Sequence, residues 1–521
     1  MEFKQNKEET VSNNNLELSD IDQILPEIGG YGRYQLFIQI AVMFAAIAEP
    51  LQGLMMYYAA DAPSWAYVAN STNCTNGATN SMKCTNGTEY PFHVLERCGM
   101  PRNSWQYTKS KEYSIVTEFG LDCDNAWIAQ LPTSVFYLGT ATGSIFLGWV
   151  GDNYGRRTVL VPSIWMIQIW GLACAFSPNI IVLVIFRFVA GFFVPGSIAN
   201  LSAMMSELVL PKHRSWAVPA VFFLWPFELG VFSLMAYYVQ EWRKLIIIST
   251  TPLFISAILT LAVPESMRWL LEKGRVEEVK SILQRTAYWN RKTLPNNICL
   301  QQRETIPRSS PKDLFANMRI ALITIGICTL WFAYSLVYYG IPLAADDVTT
   351  GSMYINFTLV CIVELPALFF CAFGLSKLGR RSTTVGSFMI CGFTCLFLAF
   401  SPNIDAWRIP RLVVGTVGRF FICITAAGIY TWTPELYPTL LRSQGISFGS
   451  IASKLGCTVM PWVVKSARNL HPIAPFLTMG ILAVVVSIFL FKLPETKGIL
   501  ASNNEKEDEN AKHHAKAQIG A

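Results

Sequence analysis

Twelve long apolar runs, separated by mostly short polar connections, constrain the fold of this chain more than any other feature. A helix needs about 20 apolar residues to cross a bilayer core of about 30 Å, and each run approaches or exceeds that length. We number them spans 1 to 12 in chain order: 35–58, 127–150, 158–176, 180–205, 216–239, 245–263, 319–341, 353–375, 383–400, 409–432, 445–465 and 473–492. The pattern predicts an all-α membrane protein with twelve transmembrane helices.

The composition also indicates a protein embedded in a lipid bilayer. Only 15% of the residues are charged, whereas soluble domains usually carry about 25%. The formal net charge of +6 is modest for 521 residues, so nucleic acid is not a predicted partner. Residues 1–33 are polar and lack the short apolar segment of a signal peptide, which predicts a cytosolic N-terminal segment.

The polar segment 61–125 between spans 1 and 2 has the features of an extracellular loop. Asn70, Asn73 and Asn86 stand in Asn-x-Ser/Thr sequons and are candidate glycosylation sites. Four cysteines are disulfide candidates, and they allow three pairings between which the sequence does not choose. They are Cys74, Cys84, Cys98 and Cys123. Because disulfides persist outside the cytosol, we predict that this loop is extracellular.

Basic residues concentrate in the loops on the other side of the predicted membrane. The short loops there contain Arg156, Arg157, Lys212, Arg214, Lys377, Arg380, Arg381 and Arg442. A longer basic segment, 264–318, joins spans 6 and 7, and its apolar residues Val276, Val279 and Leu283 recur at helical spacing. Positively charged loops stay in the cytosol, so this distribution agrees with an extracellular loop at 61–125.

These features predict a chain of five regions. They are a cytosolic N-terminal segment (1–33), a first six-helix half (34–263), a cytosolic linker (264–318), a second six-helix half (319–492) and a charged cytosolic tail (493–521). We predict a multi-pass protein of the plasma membrane with both termini in the cytosol. The sequence makes no prediction of oligomeric state.

Short motifs recur in the two halves at a nearly constant offset. The matching segments are 155–157 and 379–381 (Gly-Arg-Arg), 175–179 and 399–403 (Ala-Phe-Ser-Pro-Asn), 207–214 and 435–442 (Glu to Arg), and 264–266 and 494–496 (Pro-Glu-Ser/Thr). From first residue to first residue, the offsets are 224, 224, 228 and 230. An ordered series of this kind predicts two pseudo-symmetric six-helix bundles related by duplication.

Charged residues at the cytosolic ends of the spans take part in this repeat. They are Asp152, Arg156, Arg157, Glu207, Arg214, Arg380, Arg381, Glu435 and Arg442. Opposite charges can pair where the halves meet and separate where they part, so we predict a gating latch. Anchoring by positive loops, with capping of helix ends, is the alternative role, and the two roles are compatible.

Gly148-x-x-Gly-Asp152-x-x-Gly155-Arg-Arg157 resembles the signature loop of the major facilitator superfamily, with Asn153 where a basic residue is usual. Other motifs resemble the organic cation, anion and zwitterion transporter family (solute carrier family 22). Besides the long first loop they are Tyr-Ser-Ile-Val-Thr-Glu at 113–118, Trp-Phe…Ser…Tyr-Tyr-Gly at 331–340, Tyr-Ile-Asn-Phe at 354–357, Val-Glu-x-Pro at 363–366 and Glu-Leu-Tyr-Pro-Thr at 435–439. Met267 departs from the family pattern, in which Pro is common.

The resemblance implies the major facilitator fold and alternating-access transport of small organic cations or zwitterions, such as amines, amino-acid conjugates or carnitine-like compounds. Organic anion exchange with Lys454 as the anion's partner is the alternative within transport. A receptor that binds without turnover is another class, but it has no need of two latches. No phosphate-binding loop, nucleophile elbow or metal-ligand cluster is present in the sequence, so we predict no enzyme activity, no cofactor and no metal.

Four charged residues inside the spans stand out as substrate candidates: Glu49 in span 1, Glu228 in span 5, Glu364 in span 8 and Lys454 in span 11. Each costs at least about 2.5–3.5 kcal/mol to insert, so it needs a cavity or a partner. Either Lys454 neutralises one of the glutamates, or the four form a bipolar pocket for an ammonium group and an acid. In the resembling family the residue at 364 is acidic in cation carriers. The residue at 454 is Asp in strict cation carriers and Arg in anion and carnitine carriers, and Leu368 stands where anion carriers have Lys.

Aromatic rings are the remaining candidates for substrate contact, because ring faces bind cations. Trp331 and Tyr338 lie two turns apart on span 7, and the resemblance places both in the substrate cavity. Tyr430 in span 10 either lines the cavity or packs between helices. Arg187 and Arg419 fall at corresponding places in the two halves, where we predict ion pairs that join helices.

Overall fold

The computed structural model of the chain describes most of the predicted spans. The described residues are 21–67, 74–76, 81–84, 89–91, 98, 105–210, 212–213, 217, 220–221, 223–295, 298, 300, 311–344, 354, 358, 362–402, 404–438, 441–471 and 473–497. The predicted glycosylation sites Asn70, Asn73 and Asn86, and Arg214, lie outside this set.

Spans 1 to 6 form the first group of helices. Span 1 is broken at Ile47, and Pro50 falls in the first turn of its second piece, where a missing N–H is tolerated. The helices are Arg33–Ala46 with Ala48–Ala59 (span 1), Leu131–Tyr154 (span 2), Arg156–Ala173 (span 3), Ile180–Leu208 (span 4), Trp225–Tyr238 (span 5), and Trp242–Thr250 with Phe254–Thr260 (span 6).

Spans 7 to 12 form the second group. The helices are Met318–Ala344, Glu364–Lys377, Arg380–Phe400, Arg408–Glu435, Arg442–Leu470 and Ala474–Leu490. Over the whole described part of the chain, seven helical stretches are long and apolar enough to cross a membrane. Large apolar side chains on outer faces are more than half exposed, including Ile145, Phe146, Ile181, Ile255, Phe369 and Phe373. Patches of this extent on the spans suit contact with lipid.

Spans 2 and 4 pack with their backbones in direct contact. Gly139 and Gly143 face span 4, and a Cβ on Gly143 would lie 1.9 Å from the carbonyl oxygen of Phe192. From the other side, a Cβ on Gly191 would lie 2.1 Å from the carbonyl oxygen of Phe136. Small residues four apart allow this close approach between membrane helices.

The predicted cytosolic face of the first half is covered by short helices. They are Ile21–Glu27 before span 1, and Met267–Glu272 and Val276–Trp289 in the linker. The last is the predicted amphipathic helix, with Val279 and Leu283 buried. Asn290, just after it, donates to the carbonyl oxygen of Ile28 at 2.9 Å and accepts from the N–H of Tyr34 at 3.0 Å. The linker is therefore tied to the beginning of span 1.

The predicted extracellular loop contains short antiparallel strands that the sequence analysis did not predict. Trp65–Tyr67 pairs with Trp105–Tyr107, and Cys74–Asn76, Ser81–Cys84 and Glu89–Pro91 form a second sheet. Of the candidate cysteines, Cys98 and Cys123 form a disulfide. Strand register places residue 74 opposite residue 84.

The loop is also fastened to the first half by charge. Glu118 forms an ion pair with Arg243 of span 6 at 2.8 Å and accepts from the indole N–H of Trp242 at 2.6 Å. Burial alone would raise the pKa of the Glu118 carboxyl, but these hydrogen bonds lower it below its usual range. The motif Tyr113–Glu118 therefore holds the end of the loop against span 6.

Candidate substrate site in the second half

A buried carboxylate, a guanidinium and a tyrosine meet in the core of the second half. Arg419 of span 10 contacts Glu364 of span 8 directly as an ion pair. The Tyr338 hydroxyl of span 7 donates to the same Glu364 oxygen, Oε1, at 2.8 Å. Arg419 also donates to the Tyr338 carbonyl oxygen at 2.7 Å and lies 3.9 Å from the centre of its ring. All three residues are buried, so Arg419 balances the charge of Glu364 in this conformation.

Span 8 is interrupted next to this carboxylate. The helix Glu364–Lys377 follows a turn at Val363, and Ile362 before the turn is helical too. Pro366 has no N–H to donate to the preceding turn, which fits an interruption here. The Val-Glu-x-Pro motif therefore directs an acid towards spans 7 and 10.

The corresponding place in the first half has a different chemistry. Arg187 of span 4 is fully buried, lies 4.1 Å from the ring centre of Phe136 and points to the carbonyl oxygen of Pro132 at 3.4 Å and to Oε1 of Gln52 at 3.5 Å. Phe136 precedes Glu364 by 228 residues, within the repeat offset. The predicted ion pair is present for Arg419. For Arg187 no ion pair is found among the described residues. Its partners there include a carbonyl oxygen, a side-chain amide and an aromatic ring.

In this conformation Trp331 is covered by its neighbours, so substrate contact at its ring stays a prediction. Its ring is 1% exposed, and its indole N–H donates to the Thr433 hydroxyl at 3.0 Å. Tyr430 packs edge-on against it, with ring centres 4.6 Å apart, and is 59% exposed. Tyr430 lies 11 residues after Arg419, about three turns along the same face of span 10. Trp331 therefore packs between helices because its ring is covered, and Tyr430 presents the accessible ring.

The other three charged candidates lie on three different spans. Lys454 is half-buried on span 11, and Glu228 is half-buried in the first turn of Trp225–Tyr238. Glu49 lies in the second piece of span 1, but its side chain is outside the described part of the structure. Neutralisation by Lys454 and a bipolar pocket both stay predictions.

The two halves meet through side chains near their predicted extracellular ends. Tyr58 of span 1 stacks on Tyr354, with ring centres 5.4 Å apart. At the start of span 2, the carbonyl oxygen of Ala126 accepts a hydrogen bond from Lys465 of span 11. Deeper in the protein, Tyr137 of span 2 contacts Tyr339 of span 7 at 5.5 Å. These contacts cannot be predicted from sequence, because an aromatic side chain in an apolar span carries no signal of which neighbour it faces.

Asp61 adds an acid to this extracellular contact. It accepts a hydrogen bond from the Tyr113 hydroxyl at 3.0 Å. Arg468 and Tyr354 of the second half lie close enough to interact electrostatically with the Asp61 carboxyl. Burial raises the pKa of the Asp61 carboxyl, although the hydrogen bond from Tyr113 and the charge of Arg468 oppose the shift.

We expect extracellular acidification to favour this closed contact. When the halves part, Asp61 becomes hydrated and its pKa returns towards about 3.9. The closed form therefore binds the proton more tightly, and it gains stability as pH falls through the raised value. The measurement is uptake against external pH in wild type and in Asp61→Asn. Loss of an acid-dependent slowing in the variant agrees with this role, and an unchanged pH profile contradicts it.

At the predicted cytosolic end of the first half, two acids bind the helix ends. Glu207 of span 4 pairs with Arg156 at 3.2 Å and accepts a hydrogen bond from the Ser266 hydroxyl. Glu265 accepts from the backbone N–H groups of Arg156 and Arg157 at 2.9 and 3.0 Å. The Pro-Glu-Ser segment therefore caps span 3 and steadies the ion pair.

The second half repeats this arrangement. Glu435 pairs with Arg380 at 3.1 Å and accepts from the Thr496 hydroxyl at 2.5 Å. Glu495 accepts from the backbone N–H groups of Arg380 and Arg381 at 2.7 and 3.3 Å. Burial alone would raise the pKa of Glu495, but hydrogen bonds from backbone N–H groups lower it.

These acids and bases pair within each half, whereas the latch hypothesis has them pairing between the halves. The pairs hold the ends of neighbouring helices together, which is the capping role weighed as the alternative. Arg442 likewise donates to the carbonyl oxygen of Tyr437 in its own half, and Asp152 is exposed. A latch between the halves stays a prediction for a conformation in which the cytosolic ends meet.

Comparison with known proteins identifies the family. A family model described as "Sugar (and other) transporter" matches residues 82–503. Solute carrier family 22 member 3 of Mus musculus is 32% identical over 399 residues, which is 76% of this chain and 71% of that protein. The chain belongs to solute carrier family 22. It is therefore a multi-pass membrane transporter rather than an enzyme, as the resemblance implies.

Two further similarities place this solute carrier among known proteins. The organic cation/carnitine transporter 4 of Arabidopsis thaliana is 27% identical over 91% of this chain and 88% of that protein. The xylose transporter XylE from E. coli, in an inward-open conformation, matches with a TM-score of 0.58 and 15% identity over 89% of this chain and 97% of that chain. At this identity the match concerns the fold alone, and it confirms the predicted major facilitator class.

Proposed function

We propose that this transporter moves small organic cations or zwitterions across the plasma membrane by alternating access, with Glu364 as the group that recognises the ammonium. Membrane transport follows from the family, whereas the substrate class is our proposal. The observation that carries it is the buried Glu364 carboxylate, held by Arg419 and Tyr338 in the core of the second half.

The Glu364–Arg419 ion pair limits which substrates can bind. An ammonium group has to compete with Arg419 for the Glu364 carboxylate, because a buried carboxylate is stable only when it is paired. A zwitterion that parts the two residues offers each a new partner, so no buried charge is left alone. The ring of Tyr338 adds cation–π attraction of about 0.5–2 kcal/mol, depending on how dry the site is. Tyr430 lies about three turns away on span 10, so its ring would meet a different part of a substrate.

The relatives support a cation or zwitterion. One that matches nine-tenths of this chain is named an organic cation/carnitine transporter. An organic anion would meet repulsion from Glu364 unless it bound elsewhere, at Lys454 for instance. The anion-exchange alternative gains no support from these similarities.

The test is radiolabelled uptake in cells that express the protein, with size-matched cation, zwitterion and anion probes at a clamped membrane potential. We expect potential-dependent uptake of the cation or the zwitterion. Lys454→Ala should reduce the preference for the zwitterion over the matched amine if Lys454 binds the acid group. The control is Lys244→Ala, because that lysine is exposed and pairs with Glu241 on the loop side. Uptake of the anion alone contradicts the proposal, and unchanged selectivity in Lys454→Ala assigns that residue to neutralisation.

A further inference from the structure

The end of the linker helix Val276–Trp289 carries side chains that packing does not require. One face of this helix is buried in the protein, at Val279, Leu283, Thr286 and Ala287. The opposite face ends in Tyr288, which is 82% exposed, and Trp289, which is 41% exposed. Two large exposed rings at the end of a cytosolic helix call for a partner outside the chain.

The position of Trp289 places these rings at the edge of the membrane. Its ring stacks on Phe37 in span 1, with centres 5.4 Å apart and planes 28° apart. On the same helix, Leu36, Ile40 and Phe44 are each more than two-fifths exposed and recur every four residues, as a lipid-facing stripe does. Phe37 lies one turn after the start of this span at Arg33, so Trp289 lies close to where hydrocarbon gives way to headgroups. Tryptophan is enriched at that depth.

Cations lie next to the two rings along the chain and in the adjoining start of span 1. Asn290 accepts from the Tyr34 N–H, so the segment with Arg291 and Lys292 is joined to the segment with Arg33. Arg285 lies 5.8 Å from the ring centre of Tyr34. We call the set the Trp289 patch; its residues are Arg33, Arg285, Tyr288, Trp289, Arg291 and Lys292. Its four cations have no carboxylate within ion-pairing distance among the described residues.

Other cations of the same helix are arranged differently. Arg275 pairs with Glu278 at 2.5 Å, and Lys280 pairs with Glu277 at 2.9 Å. Cations near the end of a helix are favoured by its dipole, which accounts for some charge there. The dipole does not account for exposed aromatic rings beside them at the level of the lipid headgroups.

We propose that the Trp289 patch binds anionic phospholipid headgroups of the cytoplasmic leaflet. The cations meet the phosphate and carboxylate groups while Trp289 enters the interface beside Phe37. A lysine or arginine near an anionic surface strengthens binding about fivefold. Through Asn290, a bound lipid would hold the linker and the beginning of span 1 in place, which goes beyond the transport of substrate.

The experiment uses the purified full chain in mixed micelles of detergent and phosphatidylcholine. Phosphatidylserine is titrated in, and the shift in melting temperature reports its binding. Arg291→Gln with Lys292→Gln should raise the phosphatidylserine needed for a half-maximal shift about 25-fold. The matched control is Arg275→Gln with Lys280→Gln, which removes the same charge from the same helix and should stay within about twofold of wild type.

Each outcome decides the proposal. Equal weakening in both double variants means a response to overall charge and overturns the site. A wild-type response in Arg291→Gln/Lys292→Gln overturns it too. A loss confined to that variant, with an unchanged melting temperature in phosphatidylcholine alone and a response in wild type that high salt screens, supports the patch.

Discussion

Replacing Glu364 by glutamine should abolish uptake of a cationic substrate. The change removes the carboxylate that recognises the ammonium and leaves Arg419 buried without its counter-charge. Breaking a buried ion pair from one side costs about 3–5 kcal/mol. The melting temperature of purified Glu364→Gln should therefore fall, and uptake per molecule at the cell surface should fall below one-tenth of wild type.

A second pair of variants separates stability from recognition. Arg419→Gln leaves Glu364 unpaired and should be about as unstable as Glu364→Gln. The double variant Glu364→Gln/Arg419→Gln removes both charges, so it should recover much of the melting temperature and none of the cation uptake. Glu241→Gln, at a partly exposed glutamate outside the site, is the control for loss of one acid. Cation uptake at the wild-type level in the double variant would refute the role of Glu364.

A single methyl group on Gly143 should prevent correct folding. Its Cβ would lie 1.9 Å from a backbone oxygen of span 4, so spans 2 and 4 would have to move apart along their length. Overpacking of this kind costs about 1–3 kcal/mol or more, and backbone atoms cannot rotate out of the way as side chains can. We expect Gly143→Ala to be retained inside the cell and to unfold at a lower temperature.

Gly386→Ala is the matched control for that variant. Gly386 lies inside the helix of span 9, and a Cβ there meets nothing within 4 Å. Alanine is favoured over glycine in a helix by about 0.5–1 kcal/mol, so this variant should be at least as stable as wild type. Equal melting temperatures for the two variants would mean that spans 2 and 4 are not in backbone contact.

The spans and the duplication could be predicted from the sequence because the bilayer imposes a length and an apolar composition on every helix that crosses it. The repeat of Pro-Glu-Ser as Pro-Glu-Thr even marked two acids, Glu265 and Glu495, that cap equivalent helices. The motif does not indicate which residue each neighbouring charge pairs with. Glu207 and Glu435 bind arginines of their own half, a choice made by three-dimensional packing.

Only part of the candidate substrate site could be predicted from the sequence. Charge inside an apolar run marks Glu364 and Arg419, since each is costly without a reason to be there. Their pairing requires spans 8 and 10 to be neighbours in the fold, and no local sequence pattern predicts that arrangement. Trp331 was assigned to the cavity by resemblance, and the hydrogen bond to Thr433 that buries it joins residues 102 positions apart. The strands of the first loop are three or four residues long, too short for an alternating pattern to be seen.

The fastening of the first loop has a consequence for reagents that act from its predicted extracellular side. Glu118 is joined to Arg243 of span 6 and Lys109 to Gln240 at 2.9 Å, so both of these ties lead to the first half, while the Cys98–Cys123 disulfide closes the loop on itself before span 2. The loop must therefore move with the first half when the two halves separate on this side. An antibody that grips the loop alone will be carried along and leave turnover intact. We expect an antibody that also binds the end of span 11, near Lys465, to hold the two halves together on this side and to stop transport.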